Sequence, residues 1–144
     1  MSVTTKDAMT ISAQNGHSQC LICGDLNPRS LNLSFHAGGD GVVKTLFKVE
    51  AELQGYDGFL HGGVIAALLD SAMTHCLFHQ GVKAVTGDLH VRFVQPVACK
   101  AFLEIQAWVL SSYPPLYRLR AEITVDKHVM AWADAKFMQR RVLQ

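Results

Sequence analysis

The chain contains one long apolar stretch, followed by stretches that alternate apolar and polar residues. Between Gly62 and His79 apolar side chains fall on nearly every face that a helix would present, and Asp70 is the one carboxylate among them. A helix that is apolar all round is surrounded by protein. Gly81 is a suitable C-terminal stop. We therefore predict a buried helix over residues 62–79.

After this helix the apolar positions recur at every second residue. Four stretches show the alternation: residues 85–93, 103–109, 117–125 and 129–137. This period is typical of strands with one buried face, and four in succession predict an antiparallel sheet. Before the helix, residues 42–49 predict another strand and residues 31–35 show a weaker alternation. The SSYPP segment and residues 126–127 supply turns.

One long helix and one apolar sheet face must cover each other. The simplest arrangement that does so is an α+β domain, in which a curved antiparallel β-sheet wraps around one long central α-helix. The helix would still expose part of its apolar surface, which favours a dimer or a larger assembly. We expect residues 1–19 to form a loosely packed N-terminal arm and residues 20–144 to form a single domain.

The composition narrows the classes of function. Of the 144 residues 49% are hydrophobic and 17% are charged, and the net charge is +1. This is a globular composition without a basic stripe for nucleic acid. No apolar run reaches the roughly 18 uncharged residues that a membrane helix needs, and the N-terminus lacks a signal-peptide core. We expect a cytoplasmic protein with neither nucleic-acid nor membrane partners.

The four cysteines occur in a chain without an export signal, so free thiols in a reducing cytosol are expected. Cys20 and Cys23 have the spacing of half a zinc site, whereas a structural zinc needs four ligands. His17 and His36 are candidates for the others, and a second copy of the chain is another source. The alternative, which we favour, is a turn whose thiols pack inward and hold no metal.

The start and the middle of the predicted helix carry the candidate chemistry. A helix N-terminus presents unpaired N–H groups and a partial positive charge, and glycines let a ligand approach the backbone closely. His61, Gly62 and Gly63 therefore suit a carbonyl oxygen that becomes an oxyanion. Asp70, a costly charge in an apolar helix, is a candidate nucleophile or activator of water.

These two features lie too far apart to act on one small group from a single helix. Gly62 and Asp70 are separated by eight residues, which is roughly 12 Å along the axis at about 1.5 Å per residue. If they cooperate, they must come from two copies of the chain whose helices run antiparallel across a two-fold axis. A reaction at these residues therefore predicts a dimer with two composite sites.

The order of these motifs resembles that of a known family. HGG followed by an aspartate nine positions after the histidine, within strand, helix and four strands, resembles the hotdog-fold acyl-CoA thioesterases. The chain looks closest to the phenylacetate-pathway (PaaI-like) type within the 4-hydroxybenzoyl-CoA thioesterase superfamily. The segments CLICGDLNPRSLNLSF and DLHVRFVQPV also look like that family's opening and like its strand after the helix. The resemblance covers about residues 20–138.

The resemblance implies roles for individual residues. The Gly62 N–H would polarise the thioester carbonyl, and Asp70 from the partner subunit would be the nucleophile or general base. Thr86 would orient water near the carboxylate, and His61 would hold the loop or the carbonyl. Thr74, one helical turn after Asp70, is positioned to hydrogen-bond to it.

Three further positions bear on substrate binding. Gly63 would let the substrate approach the helix start, and Arg92 is a candidate partner for the phosphates of coenzyme A, although a solvated sheet face explains it equally well. Many relatives have Asn or Gln seven positions before the glycine N–H, where this chain has Gly55. The adjacent Gln54 is a candidate replacement.

We therefore expect an acyl-CoA thioesterase that hydrolyses a small aromatic or a short- to medium-chain acyl-CoA to free acid and CoA. It would act as a homodimer or a dimer of dimers and would need no cofactor. Because of Gly55, a non-catalytic acyl-CoA-binding module is the alternative. A hydratase is a third class, but its usual pairing of histidine and carboxylate is not found here. Purely structural roles are the alternative for each of these residues: Asp70 as a paired structural carboxylate, the glycines as points of close packing, and His61 as a helix cap.

Overall fold

The computed structural model describes residues 9–11 and 16–140. They form one α-helix, a short 3₁₀-helix (Ala51–Leu53) and a seven-stranded antiparallel sheet. The α-helix packs against all seven strands, which agrees with the predicted sheet around a central helix. The spatial order of the strands is β1-β2-β3-β5-β6-β7-β4. The elements are β1 (Met9–Ile11), β2 (Phe35–Ala37), β3 (Val43–Lys48), α1 (Gly62–His79), β4 (Ala84–Phe93), β5 (Phe102–Tyr113), β6 (Leu116–Val125) and β7 (His128–Gln139).

Helix α1 has the predicted bounds. His61 caps its start from an extended conformation (φ −62°, ψ 133°), and the Nδ1 of its ring accepts a hydrogen bond from the Gly63 N–H at 2.8 Å. The helix ends before Gly81, whose φ of 75° is the left-handed conformation that glycine adopts easily. Residues 71–77 are all buried. The prediction of a helix surrounded by protein is therefore confirmed for its second half.

The three strands β5, β6 and β7 follow the predicted alternation. Their helix-facing residues are fully or almost fully buried and form most of the core: Leu103, Ile105, Ala107, Leu119, Ala121, Ile123, Ala131, Ala133, Ala135 and Phe137. The predicted turn at residues 126–127 joins β6 to β7, with both residues at positive φ. These strands and their hairpins confirm the predicted antiparallel sheet.

A β-bulge in β4 changes which face one of its residues occupies. Thr86 pairs with Phe137, and the register then shifts so that Gly87 is an extra residue. Residues that lie directly opposite each other share a face of the sheet. Since Phe137 is fully buried, Thr86 lies on the helix side together with Leu89. The predicted strict alternation, which separated Thr86 from Leu89, was wrong at this point.

Strand β4 is also much more exposed than its sequence pattern predicted. Phe93 is 53% exposed, and no residue of β4 is fully buried. The strand lies at the end of the sheet, and within the described chain β7 is its one partner strand. The prediction of one buried face therefore fails for β4 in a single chain, because its free edge has no neighbour.

The segments before the helix are shorter than their sequence pattern suggested. The predicted strand over 42–49 is observed as β3, and the weak alternation at Leu31, Leu33 and Phe35 yields only the short β2. Most of the predicted arm, residues 1–8 and 12–15, lies outside the described residues. Within that arm, β1 pairs with β2 at the other end of the sheet.

Candidate active site

The Asp70 carboxylate lies on α1 and faces β4. The Thr86 hydroxyl donates a hydrogen bond to its Oδ1 at 2.5 Å. The bulge at Gly87 makes this contact geometrically accessible, because it turns Thr86 toward the helix. Two of the residues that the sequence singled out, sixteen positions apart, are thus brought together.

Burial raises the pKa of Asp70 above its ordinary value of 3.8. The Thr86 hydrogen bond and the nearby His17 lower that pKa in part, but burial is the largest cause. A carboxylate with a raised pKa holds a proton more strongly once it has accepted one, which makes it a better general base near neutral pH. The single hydroxyl donor leaves capacity on the carboxylate for a further donor such as water.

Thr74 supports the same stretch of helix in a different way from the predicted one. Its hydroxyl donates to the backbone carbonyl oxygen of Asp70 at 3.0 Å rather than to the carboxylate. This is the local bond that threonine commonly makes to the preceding helical turn. Thr74 is buried, and we assign it to the packing of the helix.

The helix start forms the second part of the site. Among the described residues, the Gly62 N–H has no acceptor within the protein, whereas the Gly63 N–H donates to the His61 ring. The first backbone N–H groups of a helix lack a helical partner, so the Gly62 N–H is free to bind an oxygen. His61 thus holds the loop, and its cap fixes the direction in which α1 begins.

An apolar cavity of about 810 Å³ opens at the helix start. Three segments line it: residues 55–60 before the helix, the first residues of α1, and residues 93–97 after β4. Phe59 and Phe93 contribute aromatic rings to its wall, and His61 and Gly62 lie at its base. A cavity of this size accommodates a drug-sized or acyl ligand. Asp70 is not among its lining residues.

Gln54 and Gly55 stabilise the loop that leads to α1. The Gln54 side-chain oxygen accepts a hydrogen bond from the Gly58 N–H at 2.8 Å. A Cβ added to Gly55 would lie 3.3 Å from the His61 Cα, which is tighter than an ordinary contact. Gly55 therefore allows this loop to pack closely on His61, and the Gln54 oxygen already has a partner.

Arg92 is not brought together with the other predicted site residues. It is exposed on β4 and lies opposite Trp132, on the sheet face away from the helix. The structure thus forms two separate groups. One contains Asp70 and Thr86, and the other contains the helix start and its cavity.

His17 is a neighbour of Asp70 that sequence reasoning considered only as a metal ligand. Its ring packs edge-on against Phe78 of α1, with the ring centroids 4.9 Å apart. Burial lowers the pKa of His17, and the Asp70 charge partly opposes this effect. Fifty-three positions separate the two residues along the chain, so no local pattern could have indicated their proximity.

Comparison with known proteins identifies the same class as the sequence motifs. Residues 57–113 match the model of the thioesterase superfamily. Acyl-coenzyme A thioesterase THEM4 of Rattus norvegicus is 32% identical over 63 residues, which are 44% of this chain and 27% of that protein. The chain thus spans about a quarter of the length of this curated relative. The predicted resemblance to the thioesterases is confirmed.

Solved structures show the same fold. A crystallised thioesterase superfamily protein has a TM-score of 0.81 at 22% identity, over 91% of this chain and 66% of that one. Phenylacetic acid degradation protein PaaI of Thermus thermophilus, in a mutant form, has a TM-score of 0.70 at 22% identity, over 76% and 95%. A hypothetical thioesterase protein of Streptococcus pneumoniae, solved with coenzyme A, has a TM-score of 0.66 at 21% identity, over 70% of this chain and 85% of that one. The predicted hotdog fold is confirmed.

The sequence predicted that no helix of the chain is suited to cross a membrane. Within residues 9–11 and 16–140, α1 is the one α-helix, and it does not combine the length and the hydropathy that a membrane crossing requires.

Proposed function

We propose that the protein hydrolyses acyl-CoA thioesters, with Asp70 as general base or nucleophile. The observation that carries this proposal is the Asp70 carboxylate, which is half-buried in an apolar helix, has a raised pKa, and accepts a hydrogen bond from the Thr86 hydroxyl. The segment that matches the thioesterase superfamily contains Gly62, Asp70 and Thr86. Because the curated relative is matched over a short part of its length, the activity is inferred for this chain.

The geometry supports a simple reaction. The Gly62 N–H, at the positive end of α1, stabilises the negative charge that develops on the thioester oxygen. As a general base, Asp70 takes a proton from water while the water oxygen bonds to the acyl carbon; the C–S bond then breaks, the acid is released, and the CoA thiolate accepts the proton that Asp70 holds. As a nucleophile, Asp70 would bond to the acyl carbon itself while the C–S bond breaks, and water would then hydrolyse the resulting anhydride, which releases the acid, restores Asp70 and supplies the proton for CoA.

The site requires two copies of the chain. Gly62 and Asp70 lie roughly 12 Å apart along one helix axis, at about 1.5 Å per residue, so they cannot reach the same carbonyl group. Strand β4, which carries Thr86, has a free edge and exposed apolar residues such as Phe93. A two-fold axis beside β4 would cover this surface and place Gly62 of one copy near Asp70 of the other.

The Asp70–Thr86 pair has a parallel in the streptococcal thioesterase. Two of its structures carry alanine in place of an aspartate and in place of a threonine sixteen positions later. Here the same two residue types have the same separation and are joined by a hydrogen bond. This agreement supports the choice of these two residues as the centre of the site.

The cavity indicates the class of acyl group. Its wall is mainly apolar and includes the Phe59 and Phe93 rings, so it favours a small aromatic or a short- to medium-chain acyl group. The thiol half of the substrate is CoA, which the streptococcal thioesterase structure also contains.

The test is release of free thiol from a panel of acyl-CoAs of short, medium and long chain, with phenylacetyl- and hydroxybenzoyl-CoA included. Wild type should hydrolyse at least one member, and Asp70→Asn should lower kcat by about 1,000-fold or more, since it removes the base. Asp126→Asn, in the exposed turn between β6 and β7, is the matched control and should retain the rate. An Asp70→Asn variant as active as this control would contradict the mechanism.

A non-catalytic acyl-CoA-binding module is the second candidate. It is favoured by one observation: Gly55 has no side chain and the Gln54 oxygen is occupied by Gly58, so neither offers the usual polar group. Such a module would bind acyl-CoA saturably without thiol release. Asp70→Asn would then leave its affinity unchanged or improve it.

A further inference from the structure

A cluster of metal-ligating side chains lies outside the proposed reaction. The ligand atoms of His17, Cys20 and Cys23 all lie within 4.8 Å of one another. Cys23 is buried, and the other two residues are half-buried. We propose that these three residues bind a thiophilic divalent metal ion, Zn²⁺ foremost, and thereby fasten the segment before β2 to the helix.

The distances fit such an ion with small adjustments. In a tetrahedral site with Zn–S of about 2.3 Å and Zn–N of about 2.0 Å, a sulfur and a nitrogen ligand lie roughly 3.6 Å apart. The Cys23 Sγ and the His17 Nδ1 are 3.6 Å apart. The remaining separations need to contract by at most about 1 Å to reach the roughly 3.8 Å of two sulfur ligands.

The backbone of this loop is arranged around the Cys20 sulfur. The Ile22 N–H donates to the Cys20 Sγ at 3.3 Å, a bond that strengthens when the sulfur is a thiolate. The Gly24 N–H donates to the Cys20 carbonyl at 2.9 Å, and a Cβ on Gly24 would lie 2.7 Å from that oxygen. Only glycine fits there, so the close turn that brings the two sulfurs together depends on it.

Hydrogen bonds and ring contacts anchor the cluster to its surroundings. The Leu31 and Leu33 N–H groups donate to the carbonyls of Leu21 and Ile22, which ties the loop to the strand side of the core. His17 packs against α1 through Phe78. These contacts hold the ligands in place before metal arrives.

The charge and the neighbourhood also suit a metal. Zn²⁺ with two thiolates and one neutral imidazole carries no net charge, so burial of the complete site costs far less than burial of a bare ion. Beside the cluster, His75 is 1% exposed, and neither of its ring nitrogens has a hydrogen-bond partner. Its ring centroid is 6.4 Å from that of His17. His75 lies outside the three-residue group, so the fourth position of a tetrahedral ion is left for a water molecule.

The test uses the full chain purified without chelators. We expect close to one equivalent of zinc by elemental analysis. After removal of the zinc, titration with Co²⁺ should give a thiolate-to-metal charge-transfer band and the d–d bands of a tetrahedral ion. Cys20→Ser and Cys23→Ser should weaken Co²⁺ binding by more than about 100-fold. Loss of a residue that only hydrogen-bonds to a ligand already lowers metal affinity by about 10- to 100-fold. Cys99→Ser, a half-buried thiol outside the cluster, should bind as wild type does.

Circular dichroism shows whether each variant is folded, and His17→Ala provides a ligand deletion that leaves both thiols in place. It should also weaken Co²⁺ binding strongly. A wild-type protein without the thiolate band, or equal affinities of Cys20→Ser and Cys99→Ser, would overturn the proposal. So would a Cys20–Cys23 disulfide in protein purified under reducing conditions.

Discussion

The start and the middle of α1 contribute to one proposed site by opposite means. At the start the functional group is a backbone N–H, which Gly62 presents without a partner beside an open cavity. In the middle it is the Asp70 side chain, half-buried and held by a strand. The first works because the helix leaves it unpaired, and the second because burial makes a carboxylate more basic.

The two regions also differ in their effect on the stability of the fold. An N–H at a helix end is unpaired in any helix, so the fold loses little by leaving it open. A carboxylate withdrawn from water opposes folding unless it is compensated, and here the Thr86 hydroxyl and the nearby His17 compensate it in part. The two regions should therefore respond differently to substitution, one in rate alone and the other in both rate and stability.

After Asp70→Asn, the largest effect is expected from removal of the Gly62 N–H. Proline is tolerated at the first position of a helix, and the extended conformation of His61 suits a residue that precedes proline. Gly62→Pro should thus keep the helix but lower kcat by about 100- to 1,000-fold, as loss of an oxyanion donor does. Thiol release at saturating substrate measures this.

Gly62→Ala is the control for that substitution. It keeps the N–H, and its Cβ would lie 3.5 Å from the Phe93 ring, an ordinary contact. Its rate should stay close to that of wild type. Equal losses in the two variants would mean that the space at this position matters and the N–H does not.

A smaller effect is expected at Thr86. Its hydrogen bond favours the charged form of Asp70, so Thr86→Val should raise the pKa of that carboxyl further. The acid limb of the pH–rate profile should move to higher pH, and the rate on that limb should fall. Thr86→Ser keeps the hydroxyl and should leave the limb in place. An unmoved limb in Thr86→Val would remove Thr86 from the site.

The smallest effect is one of stability. Because the folded state raises the pKa of Asp70 above 3.8, the folded state binds the proton more tightly than the unfolded state. The stability of wild type therefore falls as pH rises through 3.8 toward the raised pKa. In urea unfolding, the stability of Asp70→Asn relative to wild type should therefore increase as the pH rises from about 3 to about 7. A constant difference across that range would show that the carboxylate carries no such cost.

The main elements of the fold could be predicted because their signals are local. The all-round apolar pattern of α1 and the period of two in β5, β6 and β7 depend on neighbouring residues alone. The bulge at Gly87 depends on pairing with β7, which a single strand's sequence does not show. The exposure of β4 depends on its place at the end of the sheet. The same alternation of apolar and polar residues therefore accompanies a buried face in β6 and an exposed one in β4.

The candidate site was predictable to a similar extent. The spacing of Gly62 and Asp70 on one helix follows from helix geometry, and the proposal of a site shared between two copies rests on that spacing. The resemblance predicted that Thr86 lies near the Asp70 carboxylate. It did not predict the β-bulge at Gly87 that turns Thr86 toward the helix. His17 lies too far along the chain for its position beside Asp70 to be read from sequence.

The most direct test of the shared site is complementation between two inactive variants. Co-expression of Asp70→Asn with Gly62→Pro, each with its own affinity tag, allows mixed dimers to be isolated by two successive purifications. In a mixed dimer one site combines an intact Gly62 with an intact Asp70, and the other site has lost both. We predict that mixed dimers recover about half of the wild-type rate, since one of two composite sites is whole. A mixed dimer as inactive as either parent would contradict a site that is shared between two copies of the chain.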